Sequence, residues 1–129
     1  MGTYIELDEE SSSLLDKFCN ERIRPTLPGP FLSRIIRPWY ARAAKEWIKD
    51  KSLIPELESI EGKHTHAIAI NKDHATMFRD VLKIVNERCG TNIGEVELIS
   101  WLTRIFIKMY RIKEKTEGYT MKYGHVARV

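Results

Sequence analysis

Residues 94–115 read GEVELISWLTRIFIKMYRIKEK, the longest helical pattern in the chain and its most apolar stretch. Val96, Leu98, Ile99, Trp101, Leu102, Ile105, Phe106, Ile107, Met109, Tyr110 and Ile112 recur at spacings of three and four and cover more than half of a helix circumference. A helix apolar on so many sides packs on several sides at once, so residues 94–116 are expected to be the central helix. The remaining face is basic: Arg104, Lys108, Arg111 and Lys115 follow one another at four, three and four residues and share one side. With Glu95 and Glu97 at the start and cations towards the end, that layout also suits the helix dipole, so the stripe reads as helix stabilisation or as a polyanion contact.

Upstream of this helix, Gly90 is placed as a C-terminal cap and Asn71 or Asp73 as the N-cap of a helix burying Met77, Phe78, Val81, Leu82, Val85 and Cys89. Residues 64–70, HTHAIAI, alternate with period two and form the best strand candidate. Leu53 to Ile60 holds a short turn, and Trp39 to Lys51 a helix with Ile36, Trp39, Tyr40, Ala43, Ala44, Trp47 and Ile48 on its apolar face. Pro38 serves as a kink or a first-turn residue after a helical turn at Phe31–Arg37. Pro25, Pro28, Gly29 and Pro30 exclude helix and favour an extended connection over 24–30. Thr3–Leu7 alternates weakly, as a short strand or an extended lead-in. Asp8 to Ser13 supplies caps, with Ser13 and Asp16 near capping-box spacing, for a helix to about Ile23 that buries Leu14, Leu15, Phe18 and Cys19. The tail, 118–129, lacks helical period and is either an edge strand against Thr3–Leu7 or a loose end. The fold expected is therefore mainly α with a minor β element: one domain, 1–129, of about four helices around 94–116.

With 129 residues, 43% hydrophobic and 30% charged, the chain has the size and composition of one globular domain. No uncharged apolar run is long enough to span a bilayer, and the N-terminus lacks a basic segment followed by an apolar one, so no membrane association is expected. Cys19 and Cys89 lie in apolar helical patterns without metal-type spacing, which predicts buried free thiols and a reducing, cytoplasmic setting. The net charge of +3 hides a segregation: residues 1–21 hold six acidic residues and one Lys, residues 22–51 eight Lys or Arg and two acidic residues. Either the acidic segment folds against the basic block, or the basic block faces a polyanion.

The candidate nucleic-acid-binding residues are Arg34, Arg37, Arg42, Lys45 and Lys49, joined by Arg104, Lys108 and Arg111 from the central helix. The interleaved Trp39, Tyr40 and Trp47 would stack on bases or belong to the core; their helical spacing favours the core. His64 and His66 share a strand face and His74 opens the next helix, but two histidines without a further ligand pattern do not make a metal site. His74-Ala75-Thr76 has the form of one half of a paired His-x-Thr/Ser phosphoesterase motif, and the other half is missing. A helix-turn-helix reading of Val81–Ile105 meets Asn86 where a small residue is needed, so a core helical hairpin is expected there instead. No phosphate-binding glycine loop, zinc pattern, dinucleotide fingerprint or nucleophile elbow is present. No catalytic residue, metal or cofactor is assigned. The expectation is a small non-catalytic binding protein, nucleic-acid-associated or transcription-associated through its basic face, with nucleic acid or a nucleic-acid-bound complex as partner. The alternative is a protein–protein interaction module (adaptor, inhibitor or assembly subunit) using the Pro-rich loop and exposed aromatics, and a His-dependent hydrolase ranks third.

Overall fold

The computed structural model describes residues 3–21 and 27–111 in full, and residues 112–117, 119–122 and 125–128 as backbone. The chain is mainly α with a minor β element. Its elements are β1 (Thr3–Asp8), α1 (Glu9–Asn20), α2 (Pro28–Phe31), α3 (Arg37–Lys49), β2 (Thr65–Ile70), α4 (Lys72–Cys89), α5 (Glu95–Glu117), β3 (Tyr119–Lys122) and β4 (His125–Arg128). A π-helical turn, Leu32–Ile36, makes α2 and α3 one continuous helical segment.

The apolar stripe identified in the sequence places α5 at the centre. Leu98, Ile99, Leu102, Phe106 and Ile107 are buried, while Met109 is exposed. One side of α5 meets β1 and α1, another the α2–α3 segment. Aromatic rings bridge these layers: Phe31 packs edge-on against Phe18 of α1 at 5.3 Å and Phe106 of α5 at 5.6 Å. Trp101 meets Trp39 at 6.5 Å and Trp47 at 6.1 Å. On the far side of α3, Tyr40 stacks on Phe78 of α4 at 5.9 Å. Cys89 Sγ reaches the Trp47 carbonyl at 3.5 Å, so α3 and α4 run side by side in the same direction. Tyr40 is buried and its hydroxyl has no hydrogen-bond partner among the described residues; burial pushes its pKa up.

β1 and β2 pair antiparallel, from Thr3 opposite Ile70 to Asp8 opposite Thr65. The weak alternation at the N-terminus is thus a true strand, with Ile5 and Leu7 buried. The tail does not join it: β3 and β4 form a separate hairpin. The outer edge of β1 is occupied by side chains instead. The Tyr4 carbonyl accepts from Arg79 Nη2 at 3.0 Å, and the Asp8 amide donates to Ser100 Oγ at 2.8 Å.

Three local expectations are corrected. Pro28 and Pro30 do not exclude helix, because α2 begins at Pro28, where the first-turn N–H groups need no intrahelical partner. In α4 the buried stripe is Ala75, Phe78, Leu82, Val85 and Cys89, a run of alternating three and four residues that leaves Met77 exposed and Val81 half-buried. The α4–α5 hairpin is replaced by a divergence: α4 lies along α3 and α5 along α1. Gly90, at φ 67°, ends α4 in the left-handed conformation. Asn86 then ties the turn, its Oδ1 accepting from the Ile93 amide at 2.9 Å and its Nδ2 donating to the Ile93 carbonyl at 3.1 Å. With α5 packed in the core, a helix-turn-helix arrangement does not form. The expectations for Ile23, Arg24–Thr26 and the side chains of Ile112 and Lys115 lie outside the described residues. Cys19 and Cys89 are buried, and no disulfide joins them.

Leu102→Ala should cost about 2–5 kcal/mol, because Leu102 is fully buried at the centre of α5 and its truncation leaves a cavity; a parental urea midpoint would contradict this packing. Gly29→Ala should destabilise by about 1–3 kcal/mol although alanine favours helix, because a Cβ at Gly29 would overlap the Ala69 carbonyl oxygen of β2. Thermal unfolding of that variant at or above the parental midpoint would refute the close approach of α2 to β2.

Candidate functional site

The α2–α3 segment takes its shape from one residue. Pro38 has no N–H, and its ring would strike the carbonyl four residues back in a regular helix. The π-helical turn absorbs this conflict: the Arg37 amide donates to the Leu32 carbonyl, five residues back. That shift leaves the Ser33 carbonyl without its usual amide partner, and Arg37 supplies one from its side chain, Nε donating to Ser33 O at 3.0 Å. Arg37 Nη1 lies 3.7 Å from Met77 Sδ. Arg37 is thereby engaged in holding the segment together.

Beyond the turn, α3 has two opposed sides. Tyr40, Ala44 and Trp47 are buried, and Trp39 is half-buried against Trp101 and Phe106. The aromatics of α3 therefore belong to the core. Arg42, Lys45 and Lys49 are exposed at spacings of three and four, and Arg34 is exposed in the preceding turn. Lys49 makes one solvent-exposed contact, to Glu46 of its own helix at 3.8 Å. Among the described residues Arg34, Arg42 and Lys45 have no carboxylate partner. An open cleft of about 410 Å³ runs between Arg42, Lys45, Glu46, Ile48 and Lys49.

The basic stripe of α5 is divided. Lys108 is exposed. Arg111 bonds Glu21 at 3.2 Å and lies over the Phe18 ring at 5.9 Å. Arg104 is the hub of a polar cluster: Nε donates to Ser11 Oγ at 2.7 Å, Nη1 to Glu58 at 2.8 Å, and Nη2 to Asp8 and, at 3.5 Å, to Glu10. The Asp8 side chain is only 4% exposed, and its other oxygen caps α1 by accepting from the Ser11 amide at 2.8 Å. Burial by itself would lower the Arg104 pKa. The Glu58 hydrogen bond and the charges of Asp8, Glu10 and Glu58 outweigh it and raise the value. Hydrogen bonds from Lys63 and Arg104 hold the exposed Glu58 carboxyl below its ordinary value. No helical or strand pattern in the sequence announces this hub. Its one local sign is Ser100, a polar residue inside an apolar run and buried, whereas the buried Thr103 hydroxyl donates to the Ile99 carbonyl of its own helix.

The acidic N-terminal segment is thus met by α5, with His66 adding a contact to Glu9 at 3.9 Å. Among the described residues, none of Arg34, Arg42, Lys45 and Lys49 is paired with residues 3–21. Of the histidines, His64 and His66 are exposed and His74 is half-buried on the first turn of α4. Among the described residues no group of three or more His, Cys, Asp or Glu is arranged to hold a metal ion, and no helix is long and apolar enough to cross a membrane. Comparison with known protein families, characterised proteins and solved structures returned no match.

The depressed Glu58 pKa sets a sign for pH dependence. A carboxylate held below its unfolded value, here 4.5, contributes stability that is complete above that pH and is lost as pH falls through the folded value. Glu58→Gln should therefore be less stable than the parent at pH 7, with the gap closing below about pH 4.5. Urea midpoints at pH 7 and pH 3 check this, and an identical gap at both would show that the ionised contacts to Lys63 and Arg104 contribute nothing.

Proposed function

We propose that this protein is a small non-catalytic nucleic-acid-binding protein whose contact surface is the exposed side of α3. The observation that carries the reading is the fate of the charges. Arg104 and Arg111 are taken up by acidic residues of the fold, whereas among the described residues Arg42 and Lys45 on α3 are left without carboxylate partners and Lys49 has only a solvent-exposed one. A cationic row without internal partners is what counterion-releasing contact with a polyanion requires. From Arg42 to Lys49 the helix rises about 10 Å, which spans about three phosphates of one duplex strand at ~3.4 Å of axis per charge.

The mode of binding follows from what the row lacks. Tyr40 and Trp47 are buried and the half-buried Trp39 packs on Trp101 and Phe106, so α3 offers phosphates its cations and offers bases no fully exposed ring. Affinity on this reading is sequence-tolerant and strongly dependent on salt. Lys108 is an accessory cation, and two buried cysteines with no disulfide between them support a reducing, cytoplasmic setting.

A second reading, a protein–protein interaction module, draws on Met77 and Ile84, each 45% exposed and seven residues apart on the flank of α4. Exposed Tyr4 and Leu27, the latter at the edge of the Pro-rich stretch, add apolar surface elsewhere. Neither set carries the charge asymmetry that singles out α3.

Simultaneous reversal of Arg42, Lys45 and Lys49 to Glu tests the proposal. The slope of log affinity against log salt should fall by about one unit for each phosphate ion pair removed, and binding at moderate salt should disappear. Urea stability should change by only about half a kcal/mol per site, because each side chain is exposed. A parent protein that shows no salt-dependent binding to DNA or RNA oligonucleotides ends the proposal, and selective loss of a co-purifying protein in Met77 and Ile84 variants would favour the second reading.

A further inference from the structure

The two outer edges of the β1–β2 pair are finished differently. The Glu9 amide donates to the His64 carbonyl at 3.0 Å. Continued along the antiparallel register, that bond turns the backbone groups of His64, His66, Ile68 and Ile70 towards β1 and those of Thr65, Ala67 and Ala69 away from it. On the β1 edge, Arg79 and Ser100 take up the outward groups of Tyr4 and Asp8. On the β2 edge, only Ala69 is covered, its carbonyl lying against Gly29 of α2. Thr65 and Ala67 are exposed, and among the described residues their amides and carbonyls have no hydrogen-bond partner. Edge strands are ordinarily guarded by charge, Pro or a bulge. Residues 65–70, THAIAI, contain no Pro, Asp, Glu, Lys or Arg, and they pair with β1 residue for residue without a bulge. A bare row of amides and carbonyls is the template for another strand.

Two constraints choose that strand. The first is steric: α2 closes the edge at Ala69, so an incoming strand has to leave the line of the sheet once it has passed Ala67. This chain's own segment does so. Running antiparallel with Thr65 opposite the partner's Thr65, it brings Lys63 opposite the partner's Ala67 and then turns away at Gly62, whose φ is 77°, in a turn closed by the Lys63 amide on the Ile60 carbonyl at 2.9 Å. The second constraint is charge. By strand alternation Lys63, Thr65 and Ala67 share the solvent side of the sheet with Glu6, which stands directly opposite Ala67 in the β1–β2 ladder. In the two-fold register only the small side chain of the partner's Ala67 therefore separates Lys63 from the partner's Glu6. Two strand spacings, about 9.6 Å, are within the combined reach of a lysine and a glutamate. Among the described residues Lys63 is engaged only by Glu58, at 2.8 Å in a solvent-exposed pair, which is a weak competitor.

We propose that this protein forms a two-fold dimer through the outer edge of β2, the two copies pairing antiparallel about Thr65 into one continuous sheet. The Thr65 amide and carbonyl bond those of the partner's Thr65, the Ala67 amide donates to the partner's Lys63 carbonyl, and Lys63 pairs with the partner's Glu6. This surface shares no residue with the α3 row, and the inference does not rest on the nucleic-acid reading.

Sedimentation equilibrium of the whole chain at concentrations up to about 1 mM should show the mass rising from 15.1 kDa towards twice that value. Thr65→Lys sets like charges directly opposite each other at the two-fold axis and should weaken the dimer about tenfold. Lys63→Glu and Glu6→Lys should each weaken it several-fold, and the two together should restore it. Mild oxidation should cross-link Thr65→Cys, whose Cα atoms come to about 5.5 Å, and should spare Ala67→Cys, about 14 Å from its copy in this register. Melting curves report whether Thr65→Lys is folded, and if it is not, the two cysteine variants decide. A parent that stays at 15.1 kDa throughout overturns the inference. So does a dimer that a folded Thr65→Lys leaves intact, or a charge-swapped double variant no tighter than its parents. Cross-linking through Ala67→Cys in place of Thr65→Cys overturns the register and with it the Lys63–Glu6 contact.

Discussion

Asp8 stands at the point where β1 ends and α1 begins, and its groups hold three elements together. One carboxylate oxygen caps α1 through the Ser11 amide, the other takes the Arg104 guanidinium, and its amide reaches Ser100 Oγ on α5. A carboxylate this deeply buried is tolerable only when charge and hydrogen bonding are both supplied. Arg104 supplies the charge, and because that guanidinium has further donors it also draws in Glu10 and Glu58, the latter from the segment between α3 and β2. The placement of α1 on α5, the end of β1 and the course of residues 54–64 thus share one polar centre beside an aromatic core.

That centre determines the outward electrostatics. The acidic N-terminal segment and the basic block that follows it in sequence are compensated separately, the first largely by cations of α5 about ninety residues away. Arg34, Arg42, Lys45 and Lys49 of that block are left facing solvent. Pro38 contributes to the same outcome by a different route. The π-helical turn it imposes draws Arg37 inward onto the Ser33 carbonyl, separating a structural arginine from exposed neighbours on the same segment.

Much of this architecture is legible in local patterns. Helix positions follow from apolar spacing, and the caps at Asn71 and Gly90 are where side-chain chemistry and backbone freedom require them. The departures from pattern share a cause. Met77 is apolar and adjacent to the buried stripe, which suggests a core position, yet a difference of one residue turns a side chain by 100° and so towards solvent. Pro28 and Pro30 suggest an extended chain because composition does not say whether a proline falls in a first turn or in a helix interior.

The sequence by itself determined where the four long helices lie, which of them is central, and that positive charge recurs at helical spacing on both α3 and α5. Only the tertiary structure decided which of those charges remain available. Arg104 on α5 and Lys45 on α3 have the same kind of local environment in the chain, a cation on the polar side of an amphipathic helix. They differ because the packing of α1 on α5 brings Asp8 and Glu10 to one and, among the described residues, no carboxylate to the other. A pairing across that sequence distance leaves no trace in the local pattern, since it depends on how the helices are assembled.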